Sequence, residues 1–157
     1  MVSRGIYRLN RNGFTAAELL VVIAIVAVMA VVSLPTLIGY MRAAGAKATA
    51  EELAAGINRG RQLAISQNQT VCVEVVGNQY RYRLSTCGGA IWSGPGTDAN
   101  GFLTLANNLT LATNANPVFS NLGAATTAAN LTVTTNYPSG NITRTVVVSA
   151  SGRVQIQ

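Results

Sequence analysis

From Phe14 to Leu34 the chain runs 21 residues with a single ionisable side chain, Glu18, and Pro35 follows at once. As a helix that stretch is about 30 Å long, the thickness of one bilayer core. A helix apolar all round has no face for water, so it must lie in lipid or among other helices. Glu18 stands where a plain anchor would carry Leu, and a carboxylate near hydrocarbon is costly. Something must compensate it. Arg4, Arg8 and Arg11 precede the run and no acid does, which favours a cytoplasmic N-terminus and places the residues after Leu34 across the membrane.

The basic head, the Gly13-Phe14 junction, Glu18, the apolar run and Pro35 occur in register over residues 8–35. Together they resemble the class III leader of type IV pilins and type II secretion pseudopilins. The resemblance implies a cut after Gly13, which removes residues 1–13 and leaves Phe14 as the new N-terminus. The enzyme implied is a prepilin peptidase/N-methyltransferase, which would also methylate the Phe14 amine. The family's glutamate maps onto Glu18 and its helix-kinking proline onto Pro35. An ordinary secretory signal is cut after its apolar core; here the core would stay with the mature protein.

The expected product is a single-pass protein of the bacterial inner membrane with its C-terminal domain in the periplasm. It would assemble with other pilins or pseudopilins and use no cofactor. Glu18 then has three readings. It marks the start of the helix, where an acid complements the dipole; it pairs with its own Phe14 amine one turn away; or it pairs with the amine of a neighbouring subunit and sets axial position, as is usually proposed for pilins.

Residues 14–35 thus read as the transmembrane and filament-core helix, which Pro35 should end or kink because it lacks an N–H and its ring crowds the preceding turn. Residues 36–68 read as an amphipathic continuation. Ala46, Ala50, Leu53, Ile57, Gly60 and Ala64 recur at three- and four-residue steps, one helical face, and Lys47, Glu51, Asn58 and Arg61 fall largely off it. The helix should end near Gln67, with Asn68 as terminator.

The period then becomes two over residues 69–157, a β-rich domain. Val71, Val73 and Val75 precede Gly77-Asn78, a two-residue hairpin turn, and Tyr80, Tyr82 and Leu84 follow it. That register sets Val75 opposite Tyr80, Val73 opposite Tyr82, Val71 opposite Leu84, and Glu74 opposite Arg81 on the other face. Residues 88–101 are rich in turn formers and should form an exposed loop. Trp92 within it is a core plug or a contact residue, and the core reading is preferred. Shorter strands are expected at Phe102–Leu105, Leu109–Thr113, Asn130–Thr135, Ile142–Ser149 and Arg153–Gln157, the run Thr143–Ser149 being central because no Pro interrupts it. The fold class is α+β and pilin-like: a long N-terminal helix packed on a small antiparallel β-sheet domain.

Only 10% of residues are charged, and the formal charge of +6 falls to eight basic against five acidic side chains once the leader arginines are set aside. The balance is that of a mildly basic surface. There is no His, which removes the commonest general base and metal ligand. No nucleotide-binding loop, Ser/His/Asp set or paired carboxylates are present, so no enzyme is indicated. Cys72 and Cys87 are the only cysteines. In a domain outside the cytoplasm an even pair suggests a disulfide, and closing a loop of that length contributes about 3 kcal/mol in the chain-entropy treatment. The chain must bend after Leu84 to join them. A metal is poorly supported without His or a third Cys. The Asn-x-Thr triplets at Asn68, Asn108, Asn130 and Asn141 read as incidental.

The second half adds a further resemblance. Phe119-Ser120-Asn121-Leu122-Gly123-Ala124, then Val146-Val147-Val148-Ser149, then Gly152-Arg153-Val154 look like the C-terminal signature of the GspH/FimT family of minor pilins. Residues 48–68 are also similar to that family. This implies a structural subunit of a type IV pilus or type II secretion pseudopilus. Some FimT-like proteins bind DNA through arginines near this strand; Arg153 matches the first such position, and Gln155 replaces the second. A DNA-binding subunit for DNA uptake is therefore the alternative, with Arg81, Arg83, Arg144 and Arg153 as its candidate phosphate contacts.

Overall fold

The computed structural model describes residues 13–106, 109–135 and 140–157. Residues 1–12 of the expected leader, with Arg4, Arg8 and Arg11, and Asn108 lie outside the described residues. The chain divides into two units, residues 1–39 and 40–157.

Helix α1 spans Ala16–Ser66 and continues through Pro35. Pro35 therefore does not end it. The ring removes one backbone donor, and the neighbouring Thr36 hydroxyl donates to the Ser33 carbonyl at 2.8 Å. In the first unit, α1 is exposed at every described position. Beyond Gly45 its character changes. Ala46, Thr49, Ala50, Leu53, Gly56, Ile57, Gly60 and Ala64 are buried, the apolar stripe read from the sequence with Thr49 and Gly56 added. Asn68 closes the helix in the left-handed conformation, at φ 51°, a role Asn fills more readily than most residues. Its side-chain oxygen accepts a hydrogen bond from the Asn121 amide at 2.9 Å.

Among the described residues of the second unit nine strands follow: β1 (Val71–Val76), β2 (Gln79–Leu84), β3 (Phe102–Thr104), β4 (Leu109–Thr113), β5 (Val118–Phe119), β6 (Ala125–Thr127), β7 (Ala129–Thr135), β8 (Thr143–Val148) and β9 (Val154–Ile156). They form two antiparallel sheets, ordered β3-β2-β1-β5-β6 and β4-β7-β8-β9. The β1–β2 hairpin has the expected register, with Val75 opposite Tyr80, Val73 opposite Tyr82, Val71 opposite Leu84 and Glu74 opposite Arg81. Strand β8 is internal to its sheet, as the uninterrupted Thr143–Ser149 run suggested. Strands β5 and β6 were not foreseen.

One core joins α1 to both sheets. Leu53 and Ile57 share one buried cluster with Val71, Val73, Tyr82 and Phe119 from the first sheet, and with Leu131, Val133, Val146 and Val148 from the second. Alternation does this: Leu131 and Val133 are buried while Asn130 and Thr132 are not. The small residues on α1 let the first sheet come close. A Cβ on Gly60 would lie 2.7 Å from Val73 Cγ2, and one on Gly56 would lie 2.4 Å from the Tyr80 hydroxyl. Tyr82 is fully buried, and its hydroxyl donates to the Gly56 carbonyl at 2.8 Å. Burial pushes the phenols of Tyr80 and Tyr82 above their ordinary values.

Thr49, the buried polar residue of α1, donates to the Ala106 carbonyl at 3.3 Å, while Glu52 accepts from the Ala106 N–H at 3.4 Å. Both backbone groups of Ala106 are thus satisfied by the helix. Trp92 packs against the core, edge-on to Tyr82 with ring centroids 5.5 Å apart. The Arg59 guanidinium sits 5.2 Å from its ring centroid and donates to the Pro95 carbonyl at 3.3 Å, which fastens the turn-rich loop to α1.

Candidate functional site

Among the described residues the first unit offers an apolar helix without a partner. Leu20, Val28, Met29, Val31 and Val32 are each more than 60% exposed. A contiguous apolar surface of this size marks an interaction with lipid or protein. By length and composition this helix can cross a membrane, with a mean hydropathy of 2.8 over its most apolar window.

Glu18 lies at its mouth. Its Oε2 accepts from the Thr15 N–H and from the Thr15 hydroxyl, both at 3.0 Å, and its own N–H donates to Thr15 Oγ1 at 3.2 Å. This is a reciprocal capping box, Thr15-x-x-Glu18, which satisfies two orphan donors of the helix end. The signal stood in the sequence as a Thr three residues before a Glu, and the reading above passed over it. Phe14 lies just outside the cap and is 86% exposed. Among the described residues no cation lies within ion-pair distance of Glu18.

In the second unit Cys72 and Cys87 are joined, with Cα atoms 5.1 Å apart. The required bend falls at Ser85, whose φ of 70° is unusual for a residue with a Cβ. The Ser85 N–H donates to the Thr70 carbonyl at 2.7 Å, so the bend is pinned to the base of β1.

The candidate DNA contacts are not brought together. Arg81 and Arg83 lie on the outer face of the first sheet, and each Nε donates to Glu74 Oε2, Arg81 at 2.6 Å. Arg81 also stacks over Phe102 at 4.3 Å, and Arg83 donates to the Gly89 carbonyl at 2.9 Å. The hydrogen bond from Arg81, helped by Arg83, holds the Glu74 carboxyl below its ordinary value. These two guanidiniums are therefore largely committed to an internal anion. Arg144 and Arg153 belong to the second sheet region. Arg153 is exposed; Arg144 is half-buried.

Arg153 follows a turn that only glycine fits. Gly152 has φ 80°, and a Cβ there would lie 2.1 Å from the Gly123 carbonyl oxygen. The Gly123 turn in turn rests on Ile65 and Arg61 of α1. The two glycines of the C-terminal signature thus mate with each other and with the helix. Among the described residues no group of three or more His, Cys, Asp or Glu could hold a metal ion.

Solved structures share this fold. The type IV minor pilin FimU of Pseudomonas aeruginosa PAO1 matches at 21% identity and a TM-score of 0.55, over 75% of this chain and 92% of that one. The minor pseudopilin EpsH of the Vibrio cholerae type 2 secretion system matches at 15% identity and a TM-score of 0.54, over 71% of this chain and 95% of that one. A search of curated proteins gave no match. The family described as type II transport protein GspH matches residues 49–152. That span takes in most of the buried half of α1, the disulfide, and the Gly123–Gly152 contact, and by it the chain belongs to the GspH family.

Proposed function

We propose that this chain is a minor pilin or pseudopilin, a structural subunit of a type IV pilus or type II secretion pseudopilus. The observation that carries the reading is the exposed apolar helix that precedes a GspH-family domain. FimU and EpsH, which share the fold, are respectively a minor pilin and a minor pseudopilin.

In this reading the prepilin peptidase cuts between Gly13 and Phe14, and the Phe14 amine is methylated. The protein waits in the inner membrane, spanning it once, with its domain in the periplasm. It then leaves lipid for a filament core built with other pilins or pseudopilins. Moving an apolar helix from lipid to helices gains little from hydrophobicity, so packing and polar pairs supply the specificity. Glu18 supplies the polar pair. Its carboxylate, preset by Thr15, meets a Phe14 amine, and an unpaired buried charge penalises any other register.

Glu18→Ala tests this. Membrane insertion should be unchanged, while incorporation into filaments, measured by immunoblot of the sheared fraction, should fall at least about tenfold, the equivalent of 1.4 kcal/mol. Normal incorporation would remove the charge-pairing account. The alternative, a DNA-binding subunit, rests on exposed Arg153, since Glu74 engages Arg81 and Arg83. Absence of a duplex-DNA gel shift at low salt would eliminate it; a shift lost in Arg153→Ala would support it.

A further inference from the structure

Strand β9 ends its sheet, with β8 on one side and no strand on the other among the described residues. The β8–β9 ladder shows which way its backbone groups point. The Thr145 N–H donates to the Gln157 carbonyl at 3.1 Å, the Gln157 N–H to the Thr145 carbonyl at 2.8 Å, and the Ser149 N–H to the Arg153 carbonyl at 3.0 Å. In an antiparallel ladder such pairs alternate with pairs whose N–H and C=O groups turn away from each other. Arg153, Gln155 and Gln157 therefore address β8. Val154 and Ile156, opposite Val148 and Val146, turn their backbone groups to the open side. Two donors and two acceptors stand there without a partner among the described residues.

The first sheet treats its edges differently. At β3 the Phe102 N–H donates to Asp98 Oδ1 at 2.7 Å, and the Phe102 carbonyl accepts from the Asp98 N–H at 2.9 Å. At β6 the Ala125 N–H donates to the Ala150 carbonyl at 3.1 Å. Loops close those edges, whereas a bare edge is a template for another strand. The side chains of β9 continue the pattern. Val154 and Ile156 share the core face of Val148 and Val146, yet Ile156 is 39% exposed, so apolar surface reaches the rim of the sheet. A cavity of about 370 Å³ lies at that rim, lined by Ile156, Gln157, Arg144, Lys47 and Glu51, with room for a side chain of an added strand. On the opposite face Arg153 and Gln155 are exposed, and among the described residues Arg153 has no ion pair.

We propose that β9 is a docking edge, which receives an extended segment of a neighbouring pilin or pseudopilin as a further strand of the sheet. Main-chain hydrogen bonds to Val154 and Ile156 hold the segment, and its alternate side chains set the fit. Toward Ile156 it is apolar; toward Arg153 it carries an acid. The segment is not β9 of a second copy. Two copies of one edge meet about a twofold axis and close, whereas a filament grows by head-to-tail contacts. The inference rests on the filament-subunit reading above.

The test uses the full chain in detergent micelles with the peptide acetyl-Thr-Val-Glu-Val-Thr-amide at millimolar concentration, amide exchange being read by NMR. In the free protein the Gln155 and Gln157 amides should exchange slowly and those of Val154 and Ile156 fast. The peptide should slow Val154 and Ile156 about threefold once it reaches twice its Kd and leave Gln155 and Gln157 unchanged. Absence of that alternation overturns the proposal. The same slowing without peptide, as protein concentration rises, would assign the edge to a second copy and overturn it too. A peptide with Lys in place of Glu should protect less, because it meets Arg153; equal protection overturns the acidic segment. Ile156→Pro removes an outward N–H and keeps the β8–β9 ladder. It should keep the urea midpoint, lose the peptide's effect at Val154 and lower filament incorporation severalfold, while Ile156→Ala, which keeps the N–H, should retain most of both. Wild type absent from sheared filaments overturns the subunit reading and the proposal with it. Wild type and Ile156→Pro equally present there overturn the proposal alone.

Discussion

The two halves of α1 treat their surroundings in opposite ways. Up to Met41 every described side chain is exposed, including Leu, Val, Ile and Met over the whole circumference. From Ala46 to Ala64 one stripe is buried and is made mostly of small residues. The second stripe has its partner within the chain, and its Gly and Ala are cut to the shape of Tyr80, Tyr82 and Val73. The first has none among the described residues. Its residues are mostly large and branched, as suits a surface that must dissolve in lipid. Close packing is thus concentrated where the partner is fixed, and bulk hydrophobicity where the surroundings change.

Glycine substitutions in the full chain, in detergent, should separate the halves most sharply. Gly56→Leu with Gly60→Leu forces side chains into Tyr80 and Val73 and should cost roughly 2–6 kcal/mol, two overpacked sites. Gly39→Leu with Gly45→Leu meets nothing within 4 Å and should leave the urea midpoint unchanged. Equal effects from the two pairs would erase the contrast. Next in size is the disulfide. Replacing Cys72 and Cys87 by Ser should cost about 3 kcal/mol of domain stability, read from the same urea curves, and leave membrane insertion untouched.

Tyr82→Phe deletes the buried hydrogen bond to the Gly56 carbonyl and should cost about 1 kcal/mol. The smallest effect concerns Glu74. Its folded value is depressed, so the stability it adds is present above the unfolded carboxylate value and is lost as pH falls through the folded one. Glu74→Gln should flatten that acid limb of the stability curve relative to wild type. An unchanged slope would mean the Arg81–Glu74–Arg83 cluster contributes nothing measurable.

Much of this was legible in the sequence. The β1–β2 register followed from Gly77-Asn78 and the period of two, because a tight turn leaves no freedom to slip. The buried stripe of α1 followed from its period. Strands β5 and β6 were not legible, since two or three residues carry no period. The pairing of β5 with β1, and of β6 with β5, comes from tertiary packing. Arg144 read as a surface cation, because parity alone does not say which face a core will take. Arg81 and Arg83 read as free charges, although the register had already put Glu74 opposite Arg81. The Glu74–Arg83 diagonal was the missing step.

The central claim is that the exposed half of α1 is a processed assembly surface. Intact-mass measurement of the polypeptide recovered from sheared filaments tests it most directly. The account predicts a chain that begins at N-methylated Phe14. A polymerised chain that still begins at Met1 would contradict it.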